Sequence, residues 1–304
     1  MSGLNKLKYV YVSHNQLNSL NGLDYSHELI RLYASHNQLA NVEALLHSTS
    51  LEELDLSYNQ LTEVPYVETE AMRILILNNN LIDDTLELMV HSDVETVFLQ
   101  NNLIDDLLNF EFISRVKKLN LSNNLITDIS YLDILSNVQQ LYLSGNNITD
   151  VSALQPLNTL TLLDLNLNNI SDISALSNKT NLQTLYLAFN QISDLQGLAN
   201  KPNLRTLLLN NNQISDTSAI TGMGQLELLY LQYNNITAVD TLDSLSSIKT
   251  LNLAVNDLGS LTPLFNLTTL NSLNIRKNYN MSCSEVSLLE ANLGAAVVNQ
   301  NTCN

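Results

Sequence analysis

The chain has 304 residues and a formal charge of −17, thirty acidic against thirteen basic, so it lacks the basic footprint that nucleic-acid phosphates or anionic membrane surfaces require. No apolar run reaches transmembrane length, and Met1-Ser2-Gly3-Leu4 does not open a signal peptide. Length alone allows two or three globular domains.

A repeat overrides that division. Gly3-Leu4 resembles the tail of an earlier coil, so residues 1–6 read as the remnant of a preceding coil or an artificial start. Leu7 then opens an array of thirteen repeats spanning 7–281. Leu182-Gln183-Thr184-Leu185-Tyr186-Leu187-Ala188-Phe189-Asn190-Gln191-Ile192 shows its unit, L-x-x-L-x-L-x-x-N-x-I. The asparagine recurs as Asn15, Asn37, Asn59, Asn80, Asn102, Asn124, Asn146, Asn168, Asn190, Asn212, Asn234, Asn256 and Asn278. Each step is 22 residues except the 21 from Asn59 to Asn80. A fixed period of this length marks a solenoid. Alternation in Leu185-Tyr186-Leu187 predicts a short strand with both leucines inward and Tyr186 outward. One such strand cannot bury its apolar face alone, so neighbouring coils must supply the walls. Each asparagine follows a strand, where its amide can bond the backbone of its own coil and the next. Asn124, Asn146, Asn168, Asn190, Asn212, Asn234 and Asn256 are therefore assigned to a structural ladder.

Along the array, Ala34 replaces a leucine, and Pro65 in the 21-residue step predicts an irregular descending segment. The fourth and fifth repeats continue with Asp83-Asp84-Thr85-Leu86-Glu87-Leu88 and Asp105-Asp106-Leu107-Leu108-Asn109-Phe110, which read as a helical turn or two. From Asn124 the repeats become regular, as in Thr127-Asp128-Ile129-Ser130 and Ser171-Asp172-Ile173-Ser174. This N-x-I-[ST]-D-I-S-x-L form resembles the bacterial internalin type of leucine-rich repeat. It is also similar to the phosphatase regulatory-subunit type found inside eukaryotic cells. The resemblance implies an α/β solenoid: a right-handed superhelix with a concave parallel sheet and short irregular or 3₁₀ convex segments.

Residues 282–304 read as a C-terminal cap of helix plus strand. Ser282 before the apolar run, Glu285 within it and Gly294 after it are helix start and stop signals. Leu293, Ala296, Val298 and Asn301 repeat the strand pattern once more, 23 residues after Asn278. Cys283 and Cys303 then fall on neighbouring coils. They read either as a disulfide closing the cap, which implies an oxidising compartment, or as two reduced core thiols in a cytosolic protein.

Outward strand positions, together with the residue before each asparagine, form the expected binding surface. They carry ten of the chain's seventeen Tyr and Phe residues. The densest group comprises Tyr142, Leu162, Leu167, Tyr186, Phe189, Leu208, Leu228, Tyr230 and Tyr233, with Asp164 among them. Exposed aromatics suit an interface; cross-strand packing alone is the plainer account. Asp84, Asp106, Asp128, Asp150, Asp172, Asp194 and Asp216 form a column read as turn caps. Calcium is the alternative, where Asp83-Asp84 overlies Asp105-Asp106. His14 and His36 share a column and could share a transition metal, although no third ligand stands at a motif spacing. Phosphate-loop, metalloprotease and nucleophile-elbow motifs are missing from the sequence.

These observations predict a non-enzymatic module binding a protein or peptide along the concave face, with no cofactor, nucleic acid or membrane insertion. The resemblance favours a secreted or surface bacterial protein. The alternatives are an intracellular scaffold binding an enzyme and a carbohydrate-binding surface. A monomer is expected, with edge-to-edge contact open at the uncapped start.

Overall fold

The computed structural model describes residues 6–294 and 297–299. The chain divides into two compact units, Met1–Ile148 and Thr149–Asn304. In the first, seven three-residue strands follow one another: β1 Tyr9–Tyr11, β2 Arg31–Tyr33, β3 Glu53–Asp55, β4 Ile74–Ile76, β5 Thr96–Phe98, β6 Lys118–Asn120 and β7 Gln140–Tyr142. Each pairs in parallel with its successor within the unit, as in Tyr11↔Tyr33 and Val97↔Leu119. The second unit repeats the plan with β8 Leu162–Asp164, β9 Thr184–Tyr186, β10 Thr206–Leu208, β11 Leu228–Tyr230, β12 Thr250–Asn252, β13 Ser272–Asn274 and β14 Val298–Asn299.

The apolar alternation produces this arrangement. Leu185 and Leu187 are fully buried while Tyr186 between them is half-buried. The same holds around every strand from β2 to β13. Each buried leucine contributes about 1.5–3 kcal/mol, so a unit of seven coils has a core that no single coil could supply. Ala34, in a leucine position, is also fully buried.

Asparagine side chains tie the coils together. Asn190 Nδ2 donates to the carbonyls of Leu165 (2.9 Å) and Leu187 (3.2 Å), and its Oδ1 accepts the Ile170 N–H at 3.0 Å. The same three bonds recur at Asn37, Asn102, Asn146, Asn234 and Asn278. The partners lie in the asparagine's own coil and the preceding one, not the following one as the sequence suggested. The reason is positional: the N–H two residues beyond the preceding asparagine is a donor that its own coil leaves unused.

Connections differ as the sequence differs. Most coils from the sixth on return through three-residue 3₁₀ segments such as Ser174–Leu176, whereas the fourth and fifth carry five-residue ones, Leu86–Val90 and Leu108–Phe112, as do two later coils, Asp240–Ser244 and Thr262–Asn266. The coil containing Pro65 forms no helix after its bridge between Glu63 and Asp84.

The last coil departs from the sequence-based register. Helix α1 spans Cys283–Leu293 and ends at Gly294 with φ +91°. Val298 then pairs with Leu273, the position that the sequence alignment gave to Ala296. An α-helix rises only ~1.5 Å per residue, so crossing the coil takes more residues than a 3₁₀ turn does. The shift is two residues, which preserves the facing of every side chain, and Val298 is buried. Ala296, Asn301 and Cys303 lie outside the described residues, as do residues 1–5 of the expected remnant.

Candidate functional site

In the second unit, Tyr186, Leu208 and Tyr230 are direct register partners across β9, β10 and β11. All three are half-buried, because parallel neighbours cover one another's flanks. Asp164 is the register partner of Tyr186, and its carboxylate accepts the Asn166 N–H at 3.0 Å. It is thus engaged by its own strand end, as are Asn252 and Asn274 in the same column.

Leu167, Phe189 and Tyr233 occupy a different column. They are not on strands: each lies in the turn that follows, with φ of +55°, +57° and +60°. Every residue before a ladder asparagine shares this left-handed backbone, from His14 at +57° to Lys277 at +58°. Side chains other than Gly, Asn or Asp are disfavoured there. Leu167, Phe189 and Tyr233 are nevertheless 54%, 50% and 51% exposed. Strain without burial is their defining feature. The sequence carried the signal for this geometry, since Asn79, Asn101, Asn123, Gly145 and Asn211 fill the same column.

Tyr142 belongs to the first unit, whose open face carries ring ladders. Tyr11 stacks on Tyr33 with centroids 5.3 Å apart, and His14, His36 and Tyr58 stack at 4.3 and 4.1 Å. Face-to-face imidazoles hold their nitrogen lone pairs in parallel planes rather than aimed at one point, so the His14–His36 pair does not form a metal chelate. Tyr33 donates its hydroxyl to Glu53, which also pairs with Arg31 at 3.1 Å. The hydrogen bond to Glu53, then burial, pushes the Tyr33 hydroxyl up to about 12.

The aspartate column has one geometry throughout. Asp84, Asp106, Asp128, Asp150, Asp172, Asp194 and Asp216 each accept the N–H two residues ahead at 2.8 Å, opening the 3₁₀ segment. The backbone bond from Ser174, with that from its hydroxyl, holds the Asp172 carboxyl below its ordinary range. Asp83 and Asp105 stand beside the column, exposed. Among the described residues no group of three or more His, Cys, Asp and Glu is placed to hold a metal ion.

One inward column escaped the sequence reading because only its chemistry, not its spacing, is unusual. In the second unit it runs Leu157, Lys179, Lys201 and Met223, all buried. Lys179 Nζ donates to the Gln155 carbonyl at 2.7 Å, and Lys201 Nζ to those of Ser177, Gly197 and Ala199 at 3.0–3.2 Å. Burial, then the charge of Lys179, pushes Lys201 down to about 8. In the first unit the same column holds His91, 1% exposed, whose Nε2 lies 3.2 Å from the Pro65 carbonyl while Nδ1 has no partner. Burial pushes His91 down.

A family described as Leucine Rich repeats (2 copies) matches residues 27–69, 114–156 and 158–200, and a second leucine-rich repeat family matches 202–258. Together these cover more than half of the chain. The chain is similar to the solved internalin inlF of Listeria monocytogenes, at 26% identity and a TM-score of 0.92, over 99% of this chain and 88% of that one. It is also similar to internalin C2 of the same organism, at 29% identity and TM-score 0.58, over 62% of this chain and 83% of that one. A plant peptide hormone receptor, RGFR1, solved in complex with RGF2, shares the fold at 19% identity and TM-score 0.75, over 92% of this chain and 51% of that one. No curated protein matches the chain.

Proposed function

The chain belongs to the leucine-rich repeat proteins, of the internalin-like type, and from that premise we propose that it is a non-enzymatic module binding a protein or peptide on the open face of its second unit. The observation that carries this reading is the strained, exposed trio Leu167, Phe189 and Tyr233. Asparagine at these turns would relieve strain, and half-exposed rings gain little from burial, so folding does not select them. Binding does, since aromatic side chains anchor interfaces. Tyr186, Leu208 and Tyr230 adjoin them as a preformed apolar floor. The ladder bonds hold that floor rigid, which lowers the entropy lost on association.

A displayed random-peptide library selected on the full chain tests the reading. Sequences enriched on the wild type should be lost when Phe189→Asn and Tyr233→Asn are combined, while the melting temperature stays level or rises. Equal enrichment on both proteins would refute the site, and a large stability loss would make the rings packing elements.

The placement we propose is bacterial surface or secreted. Its support is the internalin likeness, and we propose with it that Cys283, at the start of α1, is bridged to Cys303. Among the described residues no helix is long and apolar enough to cross a membrane. Thiol titration of the denatured, unreduced native protein checks the bridge: two titratable thiols would refute it.

A further inference from the structure

We propose that Leu81, Leu103 and Leu125 form a second docking surface, on the first unit, for a protein segment that interleaves cationic with apolar side chains. These leucines immediately follow three consecutive ladder asparagines. Their backbone task is fixed: the N–H groups of Leu81, Leu103 and Leu125 donate to the carbonyls of Leu61, Ile82 and Ile104, each at 2.8 Å. The backbone N–H groups of Gln38, Gln60 and Asn147, residues that carry amide side chains, make the same bond at the same position. An amide therefore satisfies the fold there, and the core does not require leucine. Yet the three leucines are 49%, 44% and 49% exposed, stacked on adjacent coils. Solvent-facing leucines in register, where the neighbouring coils carry amides, mark a surface that something else covers.

Charge selects the occupant. Leu81-Ile82-Asp83 runs exposed, buried, exposed, and Leu103-Ile104-Asp105 does the same. The alternation places Asp83 and Asp105 on the outward side with the leucines. Unlike Asp84 and Asp106, which cap their turns, Asp83 and Asp105 receive no hydrogen bond from the described residues. Two uncommitted carboxylates beside an apolar ridge suit lysine or arginine side chains with apolar residues between them. A second copy of the chain is a poor occupant, because the first unit holds nineteen of the thirty acidic residues and only seven basic ones.

The probe is a synthetic peptide alternating lysine with valine, its binding to the full chain measured by fluorescence anisotropy at low salt. A glutamate–valine and a lysine–serine peptide serve as controls. Combining Leu81→Gln, Leu103→Gln and Leu125→Asn copies the neighbouring coils, so circular dichroism and melting should be unchanged while affinity falls at least tenfold. Asp83→Asn with Asp105→Asn should weaken binding several-fold and flatten its salt dependence. The Phe189→Asn protein should bind like wild type, which separates this surface from that of the second unit. Undiminished binding to the triple variant overturns the proposal, as does equal affinity for the lysine–serine peptide. A wild-type dimer in sedimentation that the triple variant abolishes would make a second copy the occupant and overturn it too.

Discussion

Lys201 offers a test of the packing argument in which the magnitude follows from the structure. The side chain is 1% exposed and its ammonium meets three backbone carbonyls but no carboxylate. Burial is the main cause that lowers it from an ordinary 10.5 to about 8. Between those two values the unfolded chain still holds a proton that the folded one has released. Stability therefore rises with pH across this window, and the burial penalty is carried in full below it. At 1.36 kcal/mol per pH unit, the increment between pH 7 and pH 10 is about 2.5 kcal/mol. Lys201→Met, which copies Met223 of the next coil, removes this titration and leaves every other group in place. Urea unfolding of both proteins at pH 7 and pH 10 reads the difference, since tyrosines and the lysines other than Lys179 contribute alike to each. Wild type should gain about 2.5 kcal/mol relative to the variant. Parallel pH dependences would refute the claim that the ammonium is desolvated in the fold.

Asn190→Ala removes two donors' worth of carbonyl satisfaction and leaves the Ile170 N–H unpaired, so urea unfolding should show a loss of about 3 kcal/mol or more; a loss under 1 would mean that water replaces the amide. Val255 is β-branched at φ +56°, and Val255→Asn should raise the melting temperature, by about 1 kcal/mol of relieved strain; a fall would count against the strain argument. Gly197→Ala drives a methyl group into the Ile173 carbonyl of the preceding coil, with an expected loss of about 1–3 kcal/mol in the same unfolding assay; an unchanged midpoint would show that the coils give way. His91 is lowered by burial, so stability should decline as pH falls below the ordinary histidine value of about 6.5. His91→Ile, copying Ile113, should abolish that part of the decline, and an identical acid limb in both proteins would exonerate the imidazole.

The fold was legible because its information is periodic. A leucine every second residue fixes inward facing, and an asparagine every 22 fixes the coil length, so local pattern and tertiary contact say the same thing. Legibility failed where the period is kept but the backbone changes. Phe189 and Tyr233 were read as extensions of the strand face, yet the left-handed turn lifts them into a column apart from Tyr186 and Tyr230. The Asn and Gly residues of that column announced the turn, though Leu167 and Phe189 did not. It failed again at the last coil, where helix α1 consumes two more residues than the alignment allowed. Asp164 shows a further limit: an outward carboxylate beside Tyr186 is held by the next N–H but one. Sequence spacing places a side chain but does not say whether its hydrogen bonds are already spent.

Outside their own coils, the side chains of Asn37, Asn102, Asn146, Asn190, Asn234 and Asn278 reach toward the coil nearer the amino terminus. For Asn190 the partners are Leu165 and Ile170, residues that the ribosome has already released when Asn190 emerges. A growing chain can thus form the side-chain ladder bonds of each new coil as it appears, while strand bonds such as Leu187 N–H to the Leu208 carbonyl follow with the next coil. The construction resembles a row of stitches worked in one direction.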